Sequence, residues 1–227
     1  MEGFVLAAGL GTRLRPLTDD RPKALVDVGG KTLLQLTIER LEAADVTHIV
    51  VNVHHFADKV VDFIRSHQWH CTIDISDESA LLLDTGGGLK HAAPLFSGKE
   101  NIIVHNVDIL SDIDLSDVEA THRRDANLVT LCVSQRQTKR LLEFDAAGLL
   151  VGRADEGLAF SGVSVVSPAL FPLLPEADHP YPVIDEYIRL SRNHRIGSYL
   201  HSPDHWLDVG KPDTLEQARL WTLSYAK

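Results

Sequence analysis

The sequence predicts an α/β fold: a Rossmann-like, mixed and mostly parallel sheet with helices on both faces. Three observations predict it. Short apolar runs alternate with helically spaced segments as far as Val107. The first run empties into a glycine-rich loop, "LAAGLGTRLRP" at 6–16. After about residue 125, strand-like runs follow one another with short connections, which adds antiparallel pairs to a parallel core. No repeat, low-complexity linker or composition shift divides the 227 residues, so a single domain over 1–227 is expected.

Residues 4–8 form a run too short and too uniformly apolar for an amphipathic helix, and read as a buried strand. Leu33, Leu36, Leu41 and Ala44 give 32–44 a helical period. Residues 48–53 are rich in β-branched side chains and form the second strand. A helix over 56–65 turns Val60, Val61 and Ile64 inward, and a third strand covers 71–75. The next helix is predicted over 89–96, straight after a glycine run, and a strand over 101–107. Strands follow at 128–134, 141–144, 149–151 and 160–166, with "DAAG" at 145–148 as a hairpin turn. A helix over 183–192, a strand over 196–200 and a closing helix over 214–223 complete the chain.

The bulk numbers narrow the function. A formal net charge of −10 argues against a nucleic-acid binder, which would be basic. Against that acidic background Arg13, Arg15, Arg21 and Lys23 form a local cationic cluster. Cys71 and Cys132 have no metal or redox spacing and read as buried free thiols, which suits a reducing cytoplasm. No basic leader precedes the first apolar run, and no stretch approaches the roughly 18 apolar residues of a membrane span. A cytoplasmic protein with no membrane partner is expected.

Glycines that admit close backbone approach, followed by forked cations, suit a phosphate chain. Two familiar phosphate loops fail by spacing. Leu14 stands where a dinucleotide fingerprint needs its third glycine, and Leu25 stands where a P-loop ending in "GGKT" needs its first. What remains is G-x-G-T-R-x-R-P-x-T followed by "RPKAL" at 21–25.

That pattern, with "RPKALVDVGGKTLL", resembles the signature of the sugar-1-phosphate nucleotidylyltransferases. "DTGGGLKHA" at 84–92 is similar to the second glycine loop of that family. "HNVDIL" at 105–110 and "WLDVGKP" at 206–212 are similar to its two metal-aspartate segments. The resemblance implies a nucleotide-diphospho-sugar transferase fold, with about 1–125 binding a nucleoside triphosphate and about 126–227 a sugar 1-phosphate. It implies that Arg13 and Lys23 are catalytic, and that Asp108 and Asp208 hold Mg²⁺. Ala7, Ala8, Gly9, Gly11 and Thr12 would meet the nucleotide, with Thr85, Gly86 and Gly87 in a backbone cradle. Glu78 would read the base. A carboxylate only accepts hydrogen bonds, which suits guanine or uracil equally.

On the sugar side the resemblance points to Ser161, Gly162 and Asp185. Asp185 reads equally well as a charge at a helix start. The E-K-P of the family is absent, with "GRADEG" at 152–157 in its place, and Val107 replaces the usual glycine before the first metal aspartate. The short chain and "DTGGG" are most similar to the bacterial branch that couples UTP to N-acetylmuramate 1-phosphate in cell-wall sugar recycling. Guanylyltransferases for mannose or heptose 1-phosphate stay open, and "PKAL" also resembles an element of choline-phosphate cytidylyltransferases. A non-catalytic nucleotide sensor is the alternative of another class. It would have lost Lys23 or the carboxylates, and all of them are present. The oligomeric state is not legible.

Overall fold

A computed structural model describes residues 1–225. β1 (Glu2–Leu6) is largely apolar and buried, with Glu2 at its start, and it ends two residues before the predicted 4–8 does. Ala7 and Ala8 have left the ladder, and both their N–H groups donate to Asn52 Oδ1, at 2.6 and 3.1 Å. The glycine loop then makes two 3₁₀ turns, Thr12–Leu14 and Lys23–Leu25. A small hairpin of β2 (Asp27–Val28) and β3 (Lys31–Thr32) turns through Gly29 and Gly30, both at positive φ. Thr32 caps α1 (Leu33–Ala43), its hydroxyl accepting from Gln35 N at 3.1 Å. β4 (His48–Val53), α2 (Ala57–Ser66) and β5 (Thr72–Asp77) follow within two residues of expectation at each end.

α3 (Asp84–Ala92) departs from its prediction, because Gly86, Gly87 and Gly88 lie inside its first turns and not before it. Packing overrides the low helix propensity of glycine here. A Cβ on Gly86 would come within 2.5 Å of the Tyr181 ring, and one on Gly88 within 2.6 Å of Glu78 Oε1. β6 (Ile102–Asn106) and the short β7 (Ile109–Ser111) lead to α4 (Leu115–Arg124), a helix the sequence reading does not contain. Its buried face is Leu115, Val118, Thr121 and His122, so half of the stripe is polar and a count of apolar residues misses it.

β8 (Val129–Ser134), β9 (Leu141–Phe144), β10 (Leu150–Ala154) and β11 (Leu158–Val166) form the strand-rich half. The 145–148 turn is as predicted, with Gly148 at φ +74° and its N–H on Asp145 O at 2.9 Å. The chain closes with α5 (Val183–Leu190), β12 (Ile196–Leu200), β13 (Trp206–Asp208) and α6 (Pro212–Tyr225).

One sheet runs in the order β10-β9-β11-β6-β1-β4-β5, with β8 against β11 and β12 outside β8. β6, β1, β4 and β5 are mutually parallel, and β11 joins them antiparallel. The two faces bury different cores. Phe4, Val50 and Val104 face a core that includes Leu89 of α3 and Tyr187 of α5. Val5, Val51 and Ile103 face one that includes Ile38 of α1, Val60 of α2, Val118 of α4 and Leu215 of α6. Burial on both faces explains the nearly unbroken apolar runs. Cys132 is buried as expected, whereas Cys71 is only half-buried. No helix among the described residues is long and apolar enough to cross a membrane.

Candidate active site

The parallel strands end together. Leu6, Asn52 and Asn106 occupy one row of the ladder, and the loops beyond them open into a crevice. Ligands of α/β sheets bind at such carboxyl ends. The crevice holds two cavities, of about 620 and 1050 Å³. They share Leu6, Arg13, Asp84, Thr85 and Asn106, so they are two chambers of one cleft.

The glycine loop walls the smaller chamber, where Ala7, Ala8, Gly9, Gly11 and Thr12 all stand beside Lys23, Glu78 and Asp108. Gly11 sits at φ +64°, and a Cβ there would lie 2.9 Å from Lys23 Cβ, so glycine lets the loop close on the lysine. Lys23 is 8% exposed, and its Nζ pairs with Asp108 Oδ2. Val107 and Asp108 lie in the turn after β6, where strand alternation no longer applies: Val107 is buried in the α1 side core yet also lines the chamber beside Asp108. Arg15 and Arg21 do not join this group. They turn outward onto Asp19 at 3.4 Å and Asp20 at 2.8 Å, which reduces the cationic cluster to Arg13 and Lys23.

Asp208 arrives from the other end of the chain on a device the sequence reading lacks. β13 pairs antiparallel with β7, which sets Asp208 opposite Ile109, and Val209 N donates to Asp108 O at 2.8 Å. Arg40 steadies that ladder by donating to Ser111 O and Ile113 O. Arg13 Nη2 stands 3.9 Å from Asp208 Oδ2. Gly210 makes room, since a Cβ there would come within 2.6 Å of Arg13 Nη2. Burial and the neighbouring Asp108 carboxylate push the Asp208 pKa above the usual range. Its Oδ1 is buried with no hydrogen-bond partner.

Two hard oxygen donors that repel each other, one of them orphaned, fit Mg²⁺, which takes one or two carboxylates and fills its shell with phosphate oxygens and water. Among the described residues no group of three or more His, Cys, Asp or Glu could hold a metal, so these two carboxylates would leave the rest of a shell to phosphate oxygens and water.

Glu78 lines the smaller chamber but is 2% exposed and already engaged. Oε1 accepts from Asn52 Nδ2 at 2.7 Å and Oε2 from Leu83 N at 3.1 Å, and burial raises its pKa. Asn52, absent from the sequence reading, thus latches the ends of β1, β4 and β5 together. Only its place at a strand end could have marked it. Thr85 faces both chambers and its hydroxyl accepts from Val183 N at 2.9 Å. Gly86 and Gly87 line neither chamber. Instead of forming a cradle they are buried helix residues, with the Gly86 N–H given to Tyr181 O at 2.9 Å.

In the larger chamber Phe160, Gly162 and Ser164 face the opening in alternation along β11. Gly162 lines this chamber at φ +75°, and a Cβ there would come within 2.6 Å of Ile109. Ser161 points the other way and is fully buried. His201 Nε2 is 2.7 Å from its hydroxyl, and Trp206 Nε1 donates to its carbonyl at 2.8 Å, so it braces the wall from behind. Asp185 lines neither chamber. It opens α5 and pairs with Arg153 at 2.5 Å, both side chains half-exposed.

Arg136 is a chamber residue that sequence reasoning missed. Its guanidinium lies 3.4 Å from the Trp206 ring centroid and donates to Ser134 Oγ at 2.8 Å and Phe160 O at 2.7 Å. Burial lowers its pKa to about 10. No described histidine lines either chamber. His105 is fully buried, and burial holds its pKa down at about 3.

A family model described as nucleotidyl transferase matches residues 2–144. The chain is 37% identical to an N-acetylmuramate alpha-1-phosphate uridylyltransferase of Caulobacter vibrioides, over 92% of this chain and 91% of that protein. It is 35% identical to a mannose-1-phosphate guanyltransferase of Gibberella zeae, over 60% of this chain and 38% of that protein. A crystal structure of UDP-glucose pyrophosphorylase with UDP-glucose superposes with a TM-score of 0.82 at 15% identity, covering 99% of this chain and 98% of that one. At such identity the last likeness concerns the fold alone.

Proposed function

The chain belongs to the nucleotidyl transferase family, and from that membership we propose that it joins UTP to N-acetylmuramate 1-phosphate and releases pyrophosphate. The reaction class, sugar-1-phosphate nucleotidylyl transfer, follows from the family and its relatives. The observation that carries the reading is the meeting of Arg13, Lys23, Asp108 and Asp208 where the two chambers join. The smaller chamber takes the triphosphate and the larger one the sugar phosphate.

A sugar-phosphate oxygen attacks the α-phosphorus and a new P–O bond forms. The bond from that phosphorus to the bridging oxygen breaks, and its electron pair leaves with pyrophosphate. The nucleophile is already ionised, so no general base is required, in keeping with chambers that no described histidine lines. The main obstacle is repulsion between two anions, which fixed cations and in-line positioning lower. Arg13, beside the glycine loop, neutralises charge on the departing pyrophosphate. Lys23, nearly buried and fixed by Asp108, sits between the reacting phosphates. Mg²⁺ on Asp108 and Asp208 supplies further charge neutralisation at phosphate oxygens when bound.

UTP and an N-acetylmuramate acceptor are favoured by likeness along nearly the whole of the Caulobacter protein, against 38% of the mannose enzyme. The reaction would return a cell-wall sugar to the nucleotide-sugar pool of the cytoplasm. Guanylyl transfer is the second reading, because the chain is also similar to a mannose-1-phosphate guanyltransferase over 60% of its length. Pyrophosphate release with four triphosphates against a panel of sugar 1-phosphates tests both. UTP with N-acetylmuramate 1-phosphate should lead. GTP with mannose 1-phosphate in the lead would shift the assignment. No release with any pair would leave a nucleotide-binding protein without this chemistry.

A further inference from the structure

The larger chamber carries more positive charge than one phosphate requires. Its walls include four arginines against two aspartates. Two of the arginines, Arg13 and Arg136, belong to the metal-aspartate end: the first faces Asp208, and the second stacks on Trp206, two residues before it. The other two come from the β9–β10 hairpin, Arg140 immediately before β9 and Arg153 on β10. Arg153 is directly opposite Leu142 on the β9–β10 ladder, so both project from one face. All three line the chamber. Asp185 holds Arg153 at 2.5 Å. The Arg140 side chain has no hydrogen-bond or ion-pair partner among the described residues, and only its backbone N–H is engaged, on Thr138 Oγ1.

A neutral sugar would meet these two guanidiniums with hydroxyls alone. A carboxylate matches the arginine fork, which can grip it through two parallel bonds. We propose that Arg140 and Arg153 form a second-anion subsite that binds a carboxylate on the acceptor sugar. The assignment rests on the acceptor reading above. N-acetylmuramate differs from N-acetylglucosamine by a lactyl ether, and that group carries the carboxylate. Asp185 then serves to aim Arg153 into the chamber, and touches no substrate itself.

The test compares N-acetylmuramate 1-phosphate with N-acetylglucosamine 1-phosphate, identical but for the lactyl group, in the wild type, Arg140→Gln, Arg153→Gln and Arg153→Lys. Both glutamine variants should lower the ratio of kcat/KM between the two acceptors by about tenfold or more, the scale of a lost charge-assisted bond. The loss should appear in KM, and Arg153→Lys should retain part of the ratio. An unchanged ratio would overturn the subsite. Calorimetric binding separates this outcome from failure of the reaction itself. If the wild type transfers to neither acceptor, weaker binding of N-acetylmuramate 1-phosphate in the glutamine variants still supports the subsite. Absent or variant-insensitive binding overturns it.

Discussion

Arg13 is the residue whose role can be isolated most cleanly. It is more than half exposed, and its nearest charge stands at 3.9 Å, so its removal disturbs little packing. Arg13→Ala should lower kcat by roughly 10²–10³, the scale of a lost transition-state donor, with acceptor KM nearly unchanged. A kcat within about threefold of wild type, measured at saturation, would take Arg13 out of the chemistry. Glu78 behaves differently because both its oxygens are committed to the scaffold. Glu78→Ala strands Asn52 Nδ2 and Leu83 N, each at about 1–3 kcal/mol. A lower melting temperature should therefore accompany any change in triphosphate ranking, and an unchanged melting temperature would mean the latch is idle. Single residues were legible where a motif fixed them, as for Arg13, Lys23 and Gly11. They were illegible where orientation decided the role. Ser161 and Gly162 are neighbours, yet β11 turns one to the chamber and the other to the back of its wall. Arg136 stands in no motif, and contacts far off in sequence give it its place: Phe160 O and the Trp206 ring, 70 positions away.

Elements were legible wherever burial on both faces wrote itself into an apolar run, which covers the central parallel strands β1, β4 and β6 and their order in the chain. Elements defined by tertiary contact were not. α4 buries a half-polar stripe. β7 and β13 are three residues each and exist through each other. α3 keeps its glycines for close approach, which suggests a paired experiment. Gly86→Ala sets a methyl 2.5 Å from the Tyr181 ring, whereas Gly9→Ala meets nothing within 4 Å. The first should cost about 1–3 kcal/mol by overpacking and lower the melting temperature by several degrees. The second should leave it close to wild type. Equal melting temperatures in thermal scans of both would deny that α3 is seated on Tyr181.

The whole molecule has a pH response set by its buried histidines. Burial lowers His105 to about 3 and His122 to about 4, against an ordinary 6.5. Below pH 6.5 the unfolded chain binds these protons and the fold does not. Stability should hold steady above about pH 7 and fall as pH drops, by up to about 1.4 kcal/mol per unit for each histidine. Urea unfolding should show about 2–3 kcal/mol less stability at pH 5.5 than at 7.5 from this source, and a flat profile would deny that both stay neutral. The fold also brings together two aspartates 100 positions apart, and turnover in Asp108→Asn, Asp208→Asn and the double variant, titrated with Mg²⁺, tests that union most directly. Each single change should cost roughly 10² or more in kcat, and the double change less than the product, because both carboxylates act through one ion. Added Mg²⁺ should restore part of the rate. Their folding should differ. Asp208→Asn relieves a carboxylate that burial and Asp108 disfavour, so its melting temperature should hold or rise. Asp108→Asn leaves Lys23 nearly buried without its partner and should melt lower. Near-wild-type turnover of both single variants at limiting Mg²⁺ would contradict a shared metal site, and with it the proposed path of nucleotidyl transfer.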